Sequence, residues 1–471
     1  MNKDNNYFNL VLRYIGKTTL VASIFFLTNL LGLLFLSSLN ISPLIMPQVG
    51  VGLALILLVG FETLPGILIG SFLITVATGA PIDLSVIVAL GNSLAAFLPA
   101  YYILNKNIFS YSLDNVSSII GIILLGVLIG PAFSATINLI GMYLTQINIG
   151  EDLLLIWGTK WLRDALGVLL FTPFLLVWFG NPLPKINTNL LLGEIPIYST
   201  AISLILFVFF GKLNQETAFS IIFLIIPIII WASIILNIHG LVSINLIISI
   251  LFLWGIANQK GALFTGEAFS YPTFLFVLST MWVSSLLLSS SISNFRKKQK
   301  MLSYLSNHDK LTNLYNRLFF DTELNRLDKS RQFPVSIITA DMDHLKQVND
   351  TFGHDVGDQI IKDVALLLTL SFRQEDIVSR IGGDEFVVLL PNTGISEVNT
   401  IIERMNNRFD AYNINHADIP IHISLGVSTA SQGEPLEGHL KISDDLMYKE
   451  KSRKLKHLVS KKNTHHSKKA M

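Results

Sequence analysis

Charge falls along this chain in two blocks, and that division constrains the fold more than any other feature. From Leu20 to Ser293 charged residues are sparse, and from Arg296 to the end they are dense. The chain is 51% hydrophobic and only 14% charged. Soluble domains carry about 25% charged residues, so one water-soluble core cannot hide this much apolar surface. The first block is therefore read as solvated by lipid and the second by water. A net charge of +1 gives no strong field for a nucleic acid polymer, so none is expected as a partner. The absence of cysteine excludes disulfides, thiolate catalysis and cysteine-ligated metals.

A membrane-spanning helix needs about 20 mostly apolar residues. Candidates lie near 18–39, 44–60, 63–79, 83–104, 117–144, 153–180, 194–211, 217–236, 239–257 and 270–291. The expected order is a cytoplasmic segment 1–17, a membrane domain 18–291 of about ten helices, a linker helix 292–308, a soluble domain 309–458 and a basic, disordered tail 459–471. The first apolar run, Leu20–Leu39, is longer than a usual signal-peptide core and has no small-residue cleavage pattern after it, so it is read as a retained helix. Lys3, Arg13, Lys17, Lys106 and Lys185 fall on one side with the Arg296–Lys300 cluster, and Lys212 and Lys260 fall on the other. Positive charge favours the cytoplasm, so an integral plasma-membrane (cell inner membrane) protein with both termini cytoplasmic is expected.

Charge within a span is costly and has to be accounted for. Lys160, Arg163 and Asp164 stand mid-span, and the four-residue step from Lys160 to Asp164 puts the pair on one helix face. An internal ion pair and part of a ligand pocket are the two readings. The blocks Pro47–Gly52, Gly60–Gly70 and Trp161–Leu170, the last followed by Thr172-Pro173, resemble the MASE-type membrane-associated sensor family over roughly residues 20–290. That resemblance implies a sensory input module. Composition alone allows a transporter equally well.

After Asn294 the pattern changes. Phe295 and Leu302 stand seven apart on a polar segment, which reads equally as a helix carrying motion or pairing from the membrane and as a plain linker helix. Val335–Ala340 is β-rich, Phe352–Phe372 leads through a glycine turn into a long helix, and Ile377–Ile381 and Phe386–Leu390 form a hairpin around Gly382-Gly383. A helix over 394–412, a strand over Ile421–Ser428 and a helix over Ile442–Lys456 follow. Strands alternating with helices, plus one hairpin, predict an α+β sandwich with one mixed sheet.

The chemistry is carried by carboxylates in two turns. Asp341 and Asp343 end the first strand, and Asp384 and Glu385 sit in the hairpin turn. Neighbouring strands would bring them together as hard oxygen ligands for Mg²⁺ (or Mn²⁺), which takes one or two protein carboxylates plus phosphate oxygens. Gly382-Gly383 leaves backbone bare for a bulky nucleotide, and Lys346 and Lys451 are available to neutralise phosphate charge.

Read alone, Gly-Gly-Asp-Glu is an ordinary turn. The string Arg380–Phe386 is accompanied by Asp341–Asp350, Gly353–Asp358, Asp309–Thr312 with Asn316-Arg317, and Ile423–Val427. Together these resemble the GGDEF family of diguanylate cyclases over about residues 305–458. The resemblance implies a ferredoxin- or palm-like α+β fold of the nucleotide-cyclase type. It further implies that a homodimer condenses two GTP molecules into cyclic di-GMP with release of pyrophosphate, in the service of biofilm and motility control. It assigns metal binding to Asp341, the Met342 carbonyl and Asp384. Catalysis falls to Asp384, Glu385 and Lys346, and substrate binding to Asn349, His354, Asp358 and Lys451. Arg373 and Asp376, spaced as the family's RxxD product site, imply inhibition by cyclic di-GMP, with Arg404 as a second arginine.

Two departures stand out. Lys454-Leu455 replaces the Gly-Arg that usually follows the C-terminal lysine, and Asn313 replaces a common glycine. The first keeps a second reading open, in which a catalytically weak domain acts as a receptor for cyclic di-GMP or GTP.

Overall fold

A computed structural model describes residues 2–37, 45–106, 109–147, 152–183, 188–258, 260 and 271–469. The chain divides into two compact units, Met1–Lys297 and Lys298–Met471, and the boundary falls inside the basic run that ends the charge-poor block.

The first unit is helical. Its elements are α1 (Asn2–Ser37), α2 (Gln48–Val59), α3 (Leu64–Ala77), α4 (Ile82–Asn105), α5 (Val116–Gly121), a π-helical stretch (Ile122–Ile129), α6 (Gly130–Leu144) and α7 (Leu153–Gly180). Then come α8 (Thr188–Phe210), α9 (Gln215–Ile222), α10 (Ile225–Ile235), α11 (Ile238–Ala257) and α12 (Tyr271–Asn307). Seven stretches among the described residues are long and apolar enough to cross a bilayer, while Gln48–Val59 and Phe61–Ala77 are apolar but shorter. Large apolar side chains cover the outside as well as the core: Leu154 is 78% exposed and Phe179 74%. A surface of this kind suits hydrocarbon, where backbone polar groups must be satisfied inside each helix.

The glycine blocks let backbones touch. A Cβ on Gly50 would stand 2.3 Å from the Gly167 carbonyl oxygen, and one on Gly167 1.9 Å from that of Met46. The Thr172 hydroxyl locks this contact of α2 with α7 by donating to the Gly50 carbonyl at 2.8 Å. Close backbone approach through small residues is the usual route to helix association in lipid. The mid-span charges form the internal ion pair: Lys160 binds Asp164, which is fully buried. The Ser134 hydroxyl on α6 donates to Asp164 at 2.8 Å, and the Gln48 amide on α2 at 3.4 Å. Asn92 on α4 donates to Gln48 at 3.2 Å, so four helices share the network.

One end of this unit is tied together by polar contacts. Lys17 meets Glu62 at 2.6 Å, Tyr111 donates to the Leu57 carbonyl at 3.1 Å, and Asn181 donates to the Tyr111 carbonyl at 2.8 Å. Lys297 pairs with Asp114, and Arg296 donates to the Ile234 carbonyl at 3.0 Å. Of the basic residues assigned to that side, Lys185 lies outside the described residues.

The second unit comprises α13 (Arg317–Asp328), β1 (Val335–Met342), α14 (Leu345–Phe352), α15 (His354–Ser371), β2 (Ile377–Gly382), β3 (Glu385–Leu390), α16 (Ile395–Asn415), β4 (Ile423–Ala430) and α17 (Leu436–Lys469). The sheet order is β2-β3-β1-β4, and every neighbouring pair is antiparallel. This corrects the mixed sheet expected from sequence. β2 does return parallel to β1 after its helical crossover, but β3 inserts between them. The result is the βαββαβ arrangement of ferredoxin-like folds. Along β3, Phe386, Val388 and Leu390 pack with α15 and α16, while Val387 and Leu389 face α13 and α17. Both faces are covered, as the period-2 alternation requires.

Helix α17 runs through residues 459–469, the stretch whose composition reads as disordered. The segment after Leu436 contains one glycine, Gly438, and no proline, so nothing in it stops the helix. Residues 470–471 lie outside the described residues.

Candidate active site

The site forms where the end of β1 meets the β2–β3 turn. Because β1 and β3 are neighbours, Asp341 faces Glu385 in register, and the Met342 amide donates to the Asp384 carbonyl at 3.1 Å. Sheet pairing therefore holds the two acidic turns together. Gly383 has φ +51 and nothing near the place of a Cβ, so the turn is left-handed and open. Non-glycine residues adopt that conformation at a cost.

Arg380 fixes the turn. Its guanidinium donates to the Gly383 carbonyl from Nε at 3.0 Å and from Nη2 at 2.8 Å, and to Asp309 Oδ1 from Nη1 at 2.9 Å. Asp309 is held in turn by the Thr312 amide at 3.0 Å and hydroxyl at 2.8 Å. Burial disfavours the Asp309 carboxylate, but hydrogen bonds from Arg380 and Thr312 outweigh it and hold its pKa below the usual value. The Asp-Lys-Leu-Thr block thus anchors the arginine that precedes the Gly-Gly step. The sequence displays these residues in two blocks 71 positions apart, and neither block signals the bridge. Asn313 has φ +59, which explains why glycine is common there and why asparagine, tolerant of left-handed backbone, can replace it.

The carboxylates crowd one another. Asp341 is buried, and its pKa is raised by burial and by nearby Asp384 and Asp343, with Lys451 opposing. Glu385 is raised by burial and then by Asp341, Asp384 and Asp444. Lys451 on α17 binds Asp341 directly, and despite its own burial its pKa is raised by that bond and by the surrounding aspartates. The lysine ammonium stands against the carboxylate as a cation would. Lys454 is also turned to the sheet edge, meeting Asp343 at 3.3 Å and donating to the Ile423 carbonyl at 2.7 Å, while Leu455 is exposed. Asp343 also accepts from the Ser424 hydroxyl at 2.8 Å.

Among the described residues no three Asp, Glu or His side chains cluster closely enough to hold a metal alone. The donor set still fits a hard divalent ion: two carboxylates, Asp341 and Asp384, and the Met342 carbonyl, with phosphate oxygens completing the shell.

Asn349 on α14 lies against Gly357 of α15, where a Cβ would stand 1.8 Å from Asn349 Oδ1. That oxygen is buried without a hydrogen-bond partner. Asp358 follows directly and is exposed, as are His354 at the start of α15 and Lys346 in the first turn of α14. The α14–α15 corner therefore holds a buried, unpaired acceptor close to an exposed carboxylate. Helix α14 itself is absent from the sequence reading. Its eight residues follow His344, whose φ of +66 starts it without a side-chain cap.

The RxxD residues form a turn after α15. Asp376 is buried and accepts from the Arg373 backbone amide at 2.7 Å. Its pKa is raised by burial, with Arg373 and Arg404 among the opposing influences. Arg404 on α16 donates to the Ser371 carbonyl at 2.5 Å and shares an open face of that helix with Arg408 and Asn407.

Comparison with known proteins gives two family matches. The family described as "Diguanylate cyclase, GGDEF domain" matches residues 306–457, and MASE1 matches residues 18–295. The response regulator PleD of Caulobacter vibrioides is 33% identical over 183 residues, covering 35% of this chain and 40% of that protein. The probable diguanylate cyclase DgcT of Escherichia coli is 34% identical over 154 residues, covering 31% of this chain and 34% of that one. The chain therefore spans well under half the length of these curated relatives. A solved structure of the coiled coil and GGDEF domain of DgcB from Caulobacter crescentus, in complex with c-di-GMP, is 25% identical, covers 34% of this chain and 88% of that chain, and gives a TM-score of 0.31.

Proposed function

Because the chain belongs to the MASE1 family and ends in a GGDEF domain, we propose that it is a membrane-bound diguanylate cyclase that condenses two GTP molecules into cyclic di-GMP. The observation that carries this reading is the register that sets Asp341 opposite Glu385 beside the open Gly382-Gly383 turn.

Asp341, Asp384 and the Met342 carbonyl would hold a divalent ion, Mg²⁺ or Mn²⁺, which when bound neutralises phosphate charge and favours in-line attack. Lys451 and Lys346 bring positive charge to the phosphates. Asn349 and Asp358 supply acceptors for the guanine N1–H and N2–H₂ donors, a pairing that an adenine edge does not offer, with His354 beside them at the start of α15. Glu385 or Asp384 would take the proton of the 3′-hydroxyl. Each domain holds one GTP, so two copies of the chain face each other in the reaction. Arg373, Asp376 and Arg404 would form an inhibitory site for the product, since arginine donors fit phosphate and guanine edges bidentately.

The polar contacts at one end of the first unit support the sidedness proposed for the membrane domain. They join Lys17, Glu62, Asp114, Asn181, Ile234 and Lys297, and those positions alternate along the chain with the helix ends that an even number of crossings would put on the other side. Both termini then lie in the cytoplasm with the GTP-binding unit.

The test is product formation by the full-length protein in lipid nanodiscs with GTP and Mg²⁺. Cyclic di-GMP is expected from the wild type and none from Asp384→Ala. A wild type that binds cyclic di-GMP but makes none would establish the receptor reading instead.

A further inference from the structure

A cavity of about 340 Å³ lies within the first unit, lined by Asn29, Gln48, Asn138, Trp157, Lys160 and Arg163 among apolar side chains. It sits at helix ends remote from the tied end. Met46 just precedes α2, Thr78 caps α3, Leu84 opens α4, Met142 closes α6 and Ile156 opens α7. Each of these ends is one crossing away from the contacts made by Glu62, Asp114, Asn181 and Lys297.

Its chemistry is specific. Lys160 and Arg163 carry two positive charges against the single negative charge of Asp164, which Lys160 already engages. The Arg163 Nε donates to the Thr159 carbonyl at 3.2 Å, and its two terminal amino groups have no hydrogen-bond partner among the described residues. Asn29 is 1% exposed and Asn138 7%, and the side-chain oxygen of each is buried without a partner. Both line the cavity. Their amide nitrogens are occupied, by the Phe25 carbonyl at 2.7 Å and by Ser134 Oγ at 3.4 Å respectively. An unpaired buried acceptor costs free energy that a donating ligand recovers. An uncompensated guanidinium in an apolar wall equally calls for an anion.

We propose that this cavity binds a small organic carboxylate that carries a hydroxyl or amine donor and an apolar body, entering from the helix ends remote from the Lys17–Glu62 and Lys297–Asp114 contacts. Arg163 grips the carboxylate through its free fork, Asn29 and Asn138 accept from the donor group, and Leu33, Met142 and Trp157 cover the apolar part. The site itself stands on the geometry of the first unit. Only its facing the outside of the cell rests on the cytoplasmic placement proposed above. Asp164 links the cavity to the Gln48–Asn92–Ser134 network, so occupancy is felt by α2, α4, α6 and α7 together.

Binding is read directly by fluorescence of full-length protein in nanodiscs, since Trp157 lines the cavity. The probes are phenyllactate, hydrocinnamate (the same acid without the hydroxyl) and phenylethanol (no acid). Phenyllactate should give a saturable change. Loss of the hydroxyl or of the carboxylate should each weaken binding roughly 10- to 100-fold, as expected for removing a partner of a buried polar or charged group. The comparison needs no variant, so a misfolded mutant cannot obscure it. Arg163→Gln should abolish the preference for the acid over the alcohol. Equal binding of all three probes, or no saturable change with any of them, would overturn the proposal. Tightness and selectivity are measured without GTP, so failure of the cyclase reading leaves them unaffected. Inverted and right-side-out proteoliposomes, sorted by protease access to the C-terminal unit, then report the face. Binding only from the face that carries the C-terminal unit would overturn the outward entry.

Discussion

Arg380→Ala should uncouple the catalytic turn from the rest of its domain. The side chain makes three bonds, two to the Gly383 carbonyl and one to Asp309. Hydrogen bonds to charged groups contribute about 1.5–3 kcal/mol each before screening. The Arg380 and Asp309 side chains are 12% and 26% exposed, so water screens the ion pair partially, and its share falls to about 1 kcal/mol. The two bonds to one carbonyl share an acceptor and count as little more than one. The expected net loss is about 2–3 kcal/mol, which at roughly 2–4 °C per kcal/mol for a domain of this size lowers the melting transition of the C-terminal unit by roughly 4–12 °C. Gly383 immediately precedes Asp384, so the freed turn also misplaces the carboxylate proposed to hold the metal. A misplacement of about 1 Å costs on the order of 100-fold in rate. Differential scanning fluorimetry and initial rates of cyclic di-GMP formation measure the two effects. Combined with Asp309→Asn, Arg380→Ala should be non-additive by about 1 kcal/mol, because each variant breaks the same bridge. Unchanged melting together with an unchanged rate would refute the bridge as the device that sets the turn.

Three further outcomes follow from the same geometry. The pKa of Asp309 is depressed in the folded state, so its stabilising contribution is complete above the unfolded value near 3.8 and is lost as pH falls through the lower folded value; Asp309→Asn should therefore flatten the acid limb of a melting-temperature profile below about pH 4, and an unchanged limb would contradict this. Arg373→Ala should relieve inhibition by added cyclic di-GMP with little change in stability, whereas Asp376→Ala should also lower stability because its carboxylate caps the Arg373 amide at 2.7 Å; persistent inhibition in Arg373→Ala would remove the product site. Gly426→Ala should destabilise the C-terminal unit by about 1–3 kcal/mol or more, since a Cβ there would stand 1.8 Å from the Ser443 carbonyl where α17 crosses β4, and wild-type stability in urea unfolding would show that this crossing yields freely.

The division into a lipid-facing and a water-facing half was legible because solvent acts on every residue. The strands of the second unit were legible as short apolar, β-rich runs at Val335–Ala340 and Phe386–Leu390, as expected where both faces of a strand are buried. The antiparallel character of the whole sheet was not. It depends on β3 inserting between β1 and β2, a long-range choice with no local signature. Helix α14 was missed because one short amphipathic element after a left-handed residue looks like loop. At the site, the carboxylates were visible as motif residues, while the Asp309–Arg380–Gly383 bridge was not, since pairing across 71 positions leaves no periodicity to read. Lys454, which stands where a glycine is usual, rests on Asp343 and the Ile423 carbonyl, because α17 lays that face along the edge strand β4. In the membrane half, the spacing of Lys160 and Asp164 disclosed the ion pair, but the partners Gln48, Asn92 and Ser134 come from three other helices.

In the function proposed above, the end of β1 and the β2–β3 turn jointly hold a divalent ion with a guanine nucleotide. Electron paramagnetic resonance of Mn²⁺ bound to the full-length protein with a non-hydrolysable GTP analogue addresses it without requiring turnover. A nucleotide-dependent bound Mn²⁺ signal is expected from the wild type and should be lost in both Asp341→Asn and Asp384→Asn. A signal that survives both substitutions, or that never depends on the nucleotide, would contradict the account.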